Sequence, residues 1–92
     1  MSIDKVLSKI PASKRDAASN KLVDIILSSP NAEKMPNDLA KNILRDWQED
    51  QLASEVGLRR LLEASMILEP EKTASAAEEL GLKDVVSVLR KS

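Results

Sequence analysis

The chain has 92 residues, enough for one domain with one core, and its 42% hydrophobic and 32% charged residues are the balance of a folded globule rather than a disordered chain. It contains no cysteine and no histidine, which excludes disulfides and thiolate metal sites and removes the commonest general base, pH switch and zinc ligand. The net charge of −1 argues against a nucleic-acid binder, whose affinity comes largely from basic contacts to phosphate.

Trp47 is the only aromatic residue, and sheets draw heavily on aromatics, so helices are expected throughout. Ile3, Val6, Leu7 and Ile10 follow the i, i+3, i+4, i+7 spacing of one helix face, with Ser2 as N-cap and Pro11 as stop. Ser13 and Asp16 have the spacing of a capping box for a second helix. Its face runs Ala18, Leu22, Ile25 and Ser29, while Val23, Ile26 and Leu27 extend the apolar surface around most of the circumference. A helix of that kind is expected at the centre of the core. Pro30 ends it and opens a loop, "PNAEKMPN", from which Met35 is expected to turn back onto the core.

Asn37 is placed to cap a third helix, whose stripe is Ala40, Ile43, Leu44 and Trp47. "QEDQ" at 48–51 interrupts that stripe, either as a bend or as the gap before a new helix. One helix is expected across 51–68, through Leu52, Val56, Leu58, Leu61, Leu62, Ser65 and Met66, with Gly57 marking a kink, a close crossing or a C-cap. Pro70 suits the first position of the next helix, and Ala74, Ala77 and Leu80 give that helix a narrow face. Gly81 has the character of a C′ residue, and Leu82, Val85, Val86 and Leu89 make the last stripe. The expected fold is therefore all-α: a compact bundle of five or six short helices, with residues 1–92 forming one domain.

Three groups of polar residues invite a functional reading. Asp46, Glu49 and Asp50 place three carboxylates within about one helical turn, yet no Asp-x-Asp-x-Asp-Gly loop accompanies them, so solvated side chains are expected and no metal. Arg59 and Arg60 lie at i, i+4 and i, i+3 spacing from Glu55 and Glu63, which predicts surface ion pairs or a partner contact. No serine stands beside a histidine or on a glycine elbow, and Gly57 and Gly81 are too far apart to form a phosphate-cradling loop. Neither a catalytic site nor a cofactor is expected.

The closing segment, "AAEELGLKDVVSVLRK", carries a resemblance. Ala77, four residues before Gly81, and the string "AEELGL" resemble the first helix and turn of the helix-turn-helix family. That resemblance implies nucleic-acid recognition by residues 73–91, with Lys83, Ser87, Arg90 and Lys91 as contacts. The pattern departs where the family's second helix places its apolar anchor: that position is Ser87, and Val86 is one short. Asp84 would also face phosphate unfavourably. "LGLKDVVSVL" equally resembles the helix pair of one ankyrin repeat, which cannot fold alone.

The functional expectation is a small intracellular, non-enzymatic module that binds another protein, or itself, by helix-face packing. Trp47, Leu58, Arg59, Arg60, Met66 and Ile67 are its candidate contacts. Met66 and Ile67 point to different sides of one helix, which is the motive for expecting a second buried surface. The opening residues hold no long apolar run, so neither a signal peptide nor a membrane span is expected, and the cytoplasm is the expected compartment.

Overall fold

The computed structural model describes residues 3–91. Six α-helices follow one another: α1 Ile3–Ser8, α2 Arg15–Ser28, α3 Asn37–Gln48, α4 Glu55–Leu68, α5 Pro70–Glu79 and α6 Lys83–Arg90. Single 3-10 turns at Ala12–Lys14 and Ala32–Lys34 lead into α2 and α3, and the described residues contain no strand. The expected all-α bundle is what forms. No helix among the described residues is long and apolar enough to cross a membrane.

The centre of the core is α4, which packs against α1, α2, α3 and α5. Leu58, Leu61, Leu62 and Leu68 supply its bulk, and Ala64 and Ser65 are small enough to let neighbours approach. Val6 and Ile10 enter from the first helical segment, Ala18 and Leu22 from α2, Ala74 and Ala77 from α5, and Leu82, Val85 and Leu89 from the last. Where α2, α4, α5 and α6 meet, the side chains leave a void of only about 20 Å³. The face of α2 opposite α4 and α5 is not covered in this way: Leu27 is 80% exposed. The all-round apolar character of α2 therefore marks a helix with one buried side and one open side, and the central position goes to α4.

Four local expectations change. The Ser13–Asp16 capping box does not form, because Ser13 sits inside the 3-10 turn and α2 begins at Arg15 without a side-chain cap. Asn37 is the first helical residue of α3 rather than its cap. The first helix ends at Ser8, although Ile10 still reaches the core through a tighter turn (Ile10 N–H to the Leu7 carbonyl, 3.1 Å). The Ser2 cap lies outside the described residues. Finally, α4 starts at Glu55 and not at 51, so the stretch 37–68 holds two helices. Asp50 takes a positive φ of 56°, which turns the chain sharply. Ser54 then caps α4 by accepting a hydrogen bond from the Gly57 N–H at 3.0 Å.

Gly57 is required by that turn. A Cβ at this position would lie 1.9 Å from the Gln51 carbonyl oxygen, so only glycine lets the turn fold back over the first turn of α4. Gly81 serves the role expected of it. Its φ is +73°, its N–H bonds the Glu78 carbonyl, and the Leu82 N–H reaches back to Ala77, which together form a Schellman termination of α5. Lys14 adds a hydrogen bond to the Leu80 carbonyl at 2.6 Å.

Candidate functional site

A wide apolar opening lies between α2 and α3. Val23, Ile26 and Leu27 form one wall; Ala40, Ile43, Leu44 and Trp47 form the other; Met35 and Leu52, from the loops before and after α3, complete the lining. Its volume is about 480 Å³, against about 20 Å³ for the void in the core. The opening is thus a surface groove and not a packing defect. Every lining residue is apolar. A second depression, of about 300 Å³, is lined by Lys21, Asp24, Ser28, Lys72 and Glu79 among others and is crossed by the Lys21–Glu79 ion pair. It is lined by charges where the α2–α3 groove is lined by apolar side chains.

The groove exists because α3 divides its sides between two tasks. Leu39, Asn42, Ile43 and Asp46 recur at the spacing of the side turned to α4, and all are buried or half-buried. Ala40, Leu44 and Trp47 fall next to them around the helix and are exposed. Trp47 is 64% exposed and Leu44 51%. With Leu27 opposite, they line one contiguous apolar surface.

The position of α3 is fixed by an ion pair. The Arg60 Nη1 donates to both carboxylate oxygens of Asp46, at 2.6 and 2.8 Å, and Asp46 is buried. This corrects two expectations. Asp46 is not a solvated member of a carboxylate trio, and Arg60 pairs with Asp46 rather than with Glu63 on a solvated helix face. Among the described residues no group of three or more acidic side chains converges. Arg59 does lie at the surface, paired with Asp4 at 2.7 Å and with Glu63 at 3.7 Å.

The remaining candidates separate. Leu58 is 1% exposed and belongs to the core, so it presents nothing to a partner. Met66 is half-buried against the core, and Ile67, on a different side of the helix, is exposed. Ile67 lies on α4, outside the groove lining, so Trp47 alone of the six candidates lines the groove. On α6, Lys83, Ser87, Arg90 and Lys91 are all exposed, but Arg90 is paired with Glu78 of the preceding helix. Sequence reading missed Leu27, Leu44 and Met35 as members of the surface. The signal was present in the wide apolar arc of α2, which exceeds what one neighbouring layer can cover.

Just past the C-terminal end of α2, Glu69 ties three segments together. Its carboxylate accepts hydrogen bonds from the Ser29 hydroxyl and the Asn31 amide, both at 2.8 Å, and lies 3.6 Å from Lys72. The Ser29 and Asn31 hydrogen bonds, in that order, hold its pKa below the ordinary value, with Lys72 adding to them and burial opposing.

No family model matches this chain, and no curated protein or solved structure matches it.

Proposed function

We propose that this chain is a non-enzymatic protein-interaction module that works inside the cell and receives an apolar helical surface in the groove between α2 and α3. The observation that carries the reading is the wholly apolar lining, with Trp47, Leu44 and Leu27 exposed at its mouth. A pocket for a small metabolite combines apolar walls with a few convergent polar groups that orient the ligand. This groove has none, and its occupant is accordingly expected to be recognised by shape and apolar contact. Helix-in-groove docking meets that requirement, with side chains at i, i+3, i+4 and i+7 as anchors. Tryptophan at the mouth suits the central anchor role common in protein interfaces.

A photo-crosslinking residue at position 47 tests this in cells that produce the protein. Protein adducts are expected from position 47 and not from position 75, where Ser75 is exposed beside the charged depression. Absence of any protein adduct at position 47 rejects the reading.

A further inference from the structure

Met35 reaches the groove from the connector between α2 and α3, residues 29–36, and one side chain outside the groove holds that connector. The Ser29 hydroxyl and the Asn31 side-chain amide donate to the same oxygen of Glu69, Oε2, each at 2.8 Å. The Asn31 backbone N–H closes the set by donating to the Ser29 Oγ at 3.1 Å. Ser29 is buried and the Glu69 side chain is 13% exposed, so little water competes for these bonds. Hydrogen bonds to an ionised acceptor are about twice as strong as neutral ones.

The path from this clasp to the groove is short and stiff. The Asn31 carbonyl accepts from the Lys34 N–H at 2.9 Å, and the Ala32 carbonyl accepts from the Met35 N–H at 3.1 Å. The 3-10 turn Ala32–Lys34 therefore starts next to the clasped residue and ends next to a residue of the groove wall. Pro36 follows, its φ set by the ring, and its carbonyl accepts from the N–H of Ala40, another wall residue, at 3.0 Å. Near its other end α3 is held by Asp46 and Arg60. The α3 wall is thus anchored at two points, and Glu69 makes one of them without lining the groove.

We propose that Glu69 is a positioning residue for the groove: its carboxylate clasps the connector, and releasing the clasp withdraws Met35 and the start of α3 from their places in the wall. This goes beyond the docking reading, because it concerns the wall and not the occupant. A failed crosslink at position 47 rejects that reading and leaves the clasp standing. The charged group that faces the carboxylate is Lys72 of α5, at 3.6 Å. Asp24 on α2, Glu33 and Lys34 on the connector, and Glu71 on α5 are exposed, and among the described residues none of them pairs with it. The Ser29 and Asn31 hydrogen bonds hold the carboxyl below its ordinary value of 4.5. The clasp is accordingly closed at neutral pH and opens as pH falls through that lowered value.

The test labels the methionine methyl groups of the full chain. Met35 reports the groove wall, and Met66, half-buried against the core on α4, is the internal control. At neutral pH, Glu69→Gln and Asn31→Ala should each move the Met35 methyl resonance and leave Met66 in place. In Asn31→Ala the Met35 amide should also exchange about tenfold faster or more, the fold-change for losing one hydrogen bond to a charged group. In acid, the wild-type Met35 signal should travel towards its position in Glu69→Gln. Its single midpoint should lie below 4.5, persist in Glu33→Gln and vanish in Glu69→Gln. Far-UV circular dichroism verifies folding. If Glu69→Gln does not fold, Asn31→Ala decides alone, since it leaves the carboxylate with Ser29 and Lys72. A Met35 methyl unmoved by Asn31→Ala overturns the proposal, as does a Met35 midpoint that survives in Glu69→Gln. Met35 and Met66 moving together would mean a general loosening of the fold and would equally overturn the positioning role.

Discussion

The buried carboxylate of Asp46 and the guanidinium of Arg60, fourteen residues apart in the chain, share a two-pronged hydrogen bond that joins α3 to the central helix. Removing one partner leaves the other charged and poorly solvated, which is costlier than losing the attraction itself. Arg60→Ala should therefore destabilise the fold by about 2–3 kcal/mol, somewhat below the 3–5 kcal/mol of fully buried pairs because the arginine side chain keeps 22% of its exposure. Replacing both residues with apolar side chains of similar volume should recover most of that loss. Urea unfolding of the two variants measures this, and an Arg60→Ala cost below about 0.5 kcal/mol would show the pair to be ornamental.

Gly57 and Gly81 are both obligatory, for different reasons, and alanine should tell them apart. At Gly81 the surroundings are open, with the Lys14 Nζ 3.5 Å from the place a Cβ would take, so Gly81→Ala meets only the strain of a left-handed backbone, about 1–2 kcal/mol. At Gly57 the added methyl meets a backbone carbonyl that must move. Gly57→Ala should cost more, about 3 kcal/mol, and should disturb amide resonances across residues 50–58. Equal and small losses at both positions would contradict the close approach of Gln51 to Gly57.

Glu69 gives the fold a specific sensitivity to acid. Its pKa is lower folded than unfolded, so in the window between the two values the unfolded chain binds more protons. Its contribution is complete above the ordinary carboxylate value of 4.5 and is lost as pH falls through the folded value. The stability difference between the wild type and Glu69→Gln should accordingly shrink on going from neutral pH to below that window. A difference that stays constant with pH would mean that the carboxylate charge is not what Ser29 and Asn31 stabilise.

The groove residues should behave as surface residues in the folded monomer. Leu27→Asp should change stability by less than about 0.5 kcal/mol, whereas Leu58→Ala should cost about 2–5 kcal/mol. Trp47, the only fluorophore of its kind in the chain, should emit at long wavelength and be quenched readily by acrylamide in dilute solution. A blue-shifted, protected Trp47 under those conditions would place it in a closed core.

Much of this was legible in the residue pattern, and the remainder was not for identifiable reasons. The stripe positions from Ile3 to Leu89 announced a bundle of short helices, because apolar periodicity is local information. Pro70 and Gly81 announced their roles because cap chemistry needs only neighbours in sequence. The ion pair of Asp46 did not, since no local rule connects it to a residue fourteen positions away. Leu58 could have been assigned correctly: it stands with Leu61, Leu62 and Ser65 at core spacing. The openness of the groove was hidden because periodicity identifies which residues are apolar but not which of them a neighbour will cover.

On α6, exposed Lys83 is followed by exposed Asp84, and Arg90 is already committed to Glu78. Short duplex DNA at low salt should leave the amide resonances of residues 82–91 unmoved. Salt-sensitive shifts confined to those residues would revive the nucleic-acid reading.

The attachment of α3 has an energetic consequence for whatever occupies the groove. The helix packs substantially on α4 alone, through Ile43 and the Asp46–Arg60 pair, and is bounded by the sharp turn at Asp50 on one side and the Pro36 loop on the other. It is therefore the part of the bundle that opens at least cost, ahead of the helices that share the central core. Hydrogen exchange should be fastest there in the free protein, and an occupant would protect α3 more than any other helix. Part of the free energy of any such binding would be spent in steadying one wall of the groove, so a change at Arg60 of α4, behind α3, would alter the affinity without touching a residue that the occupant meets.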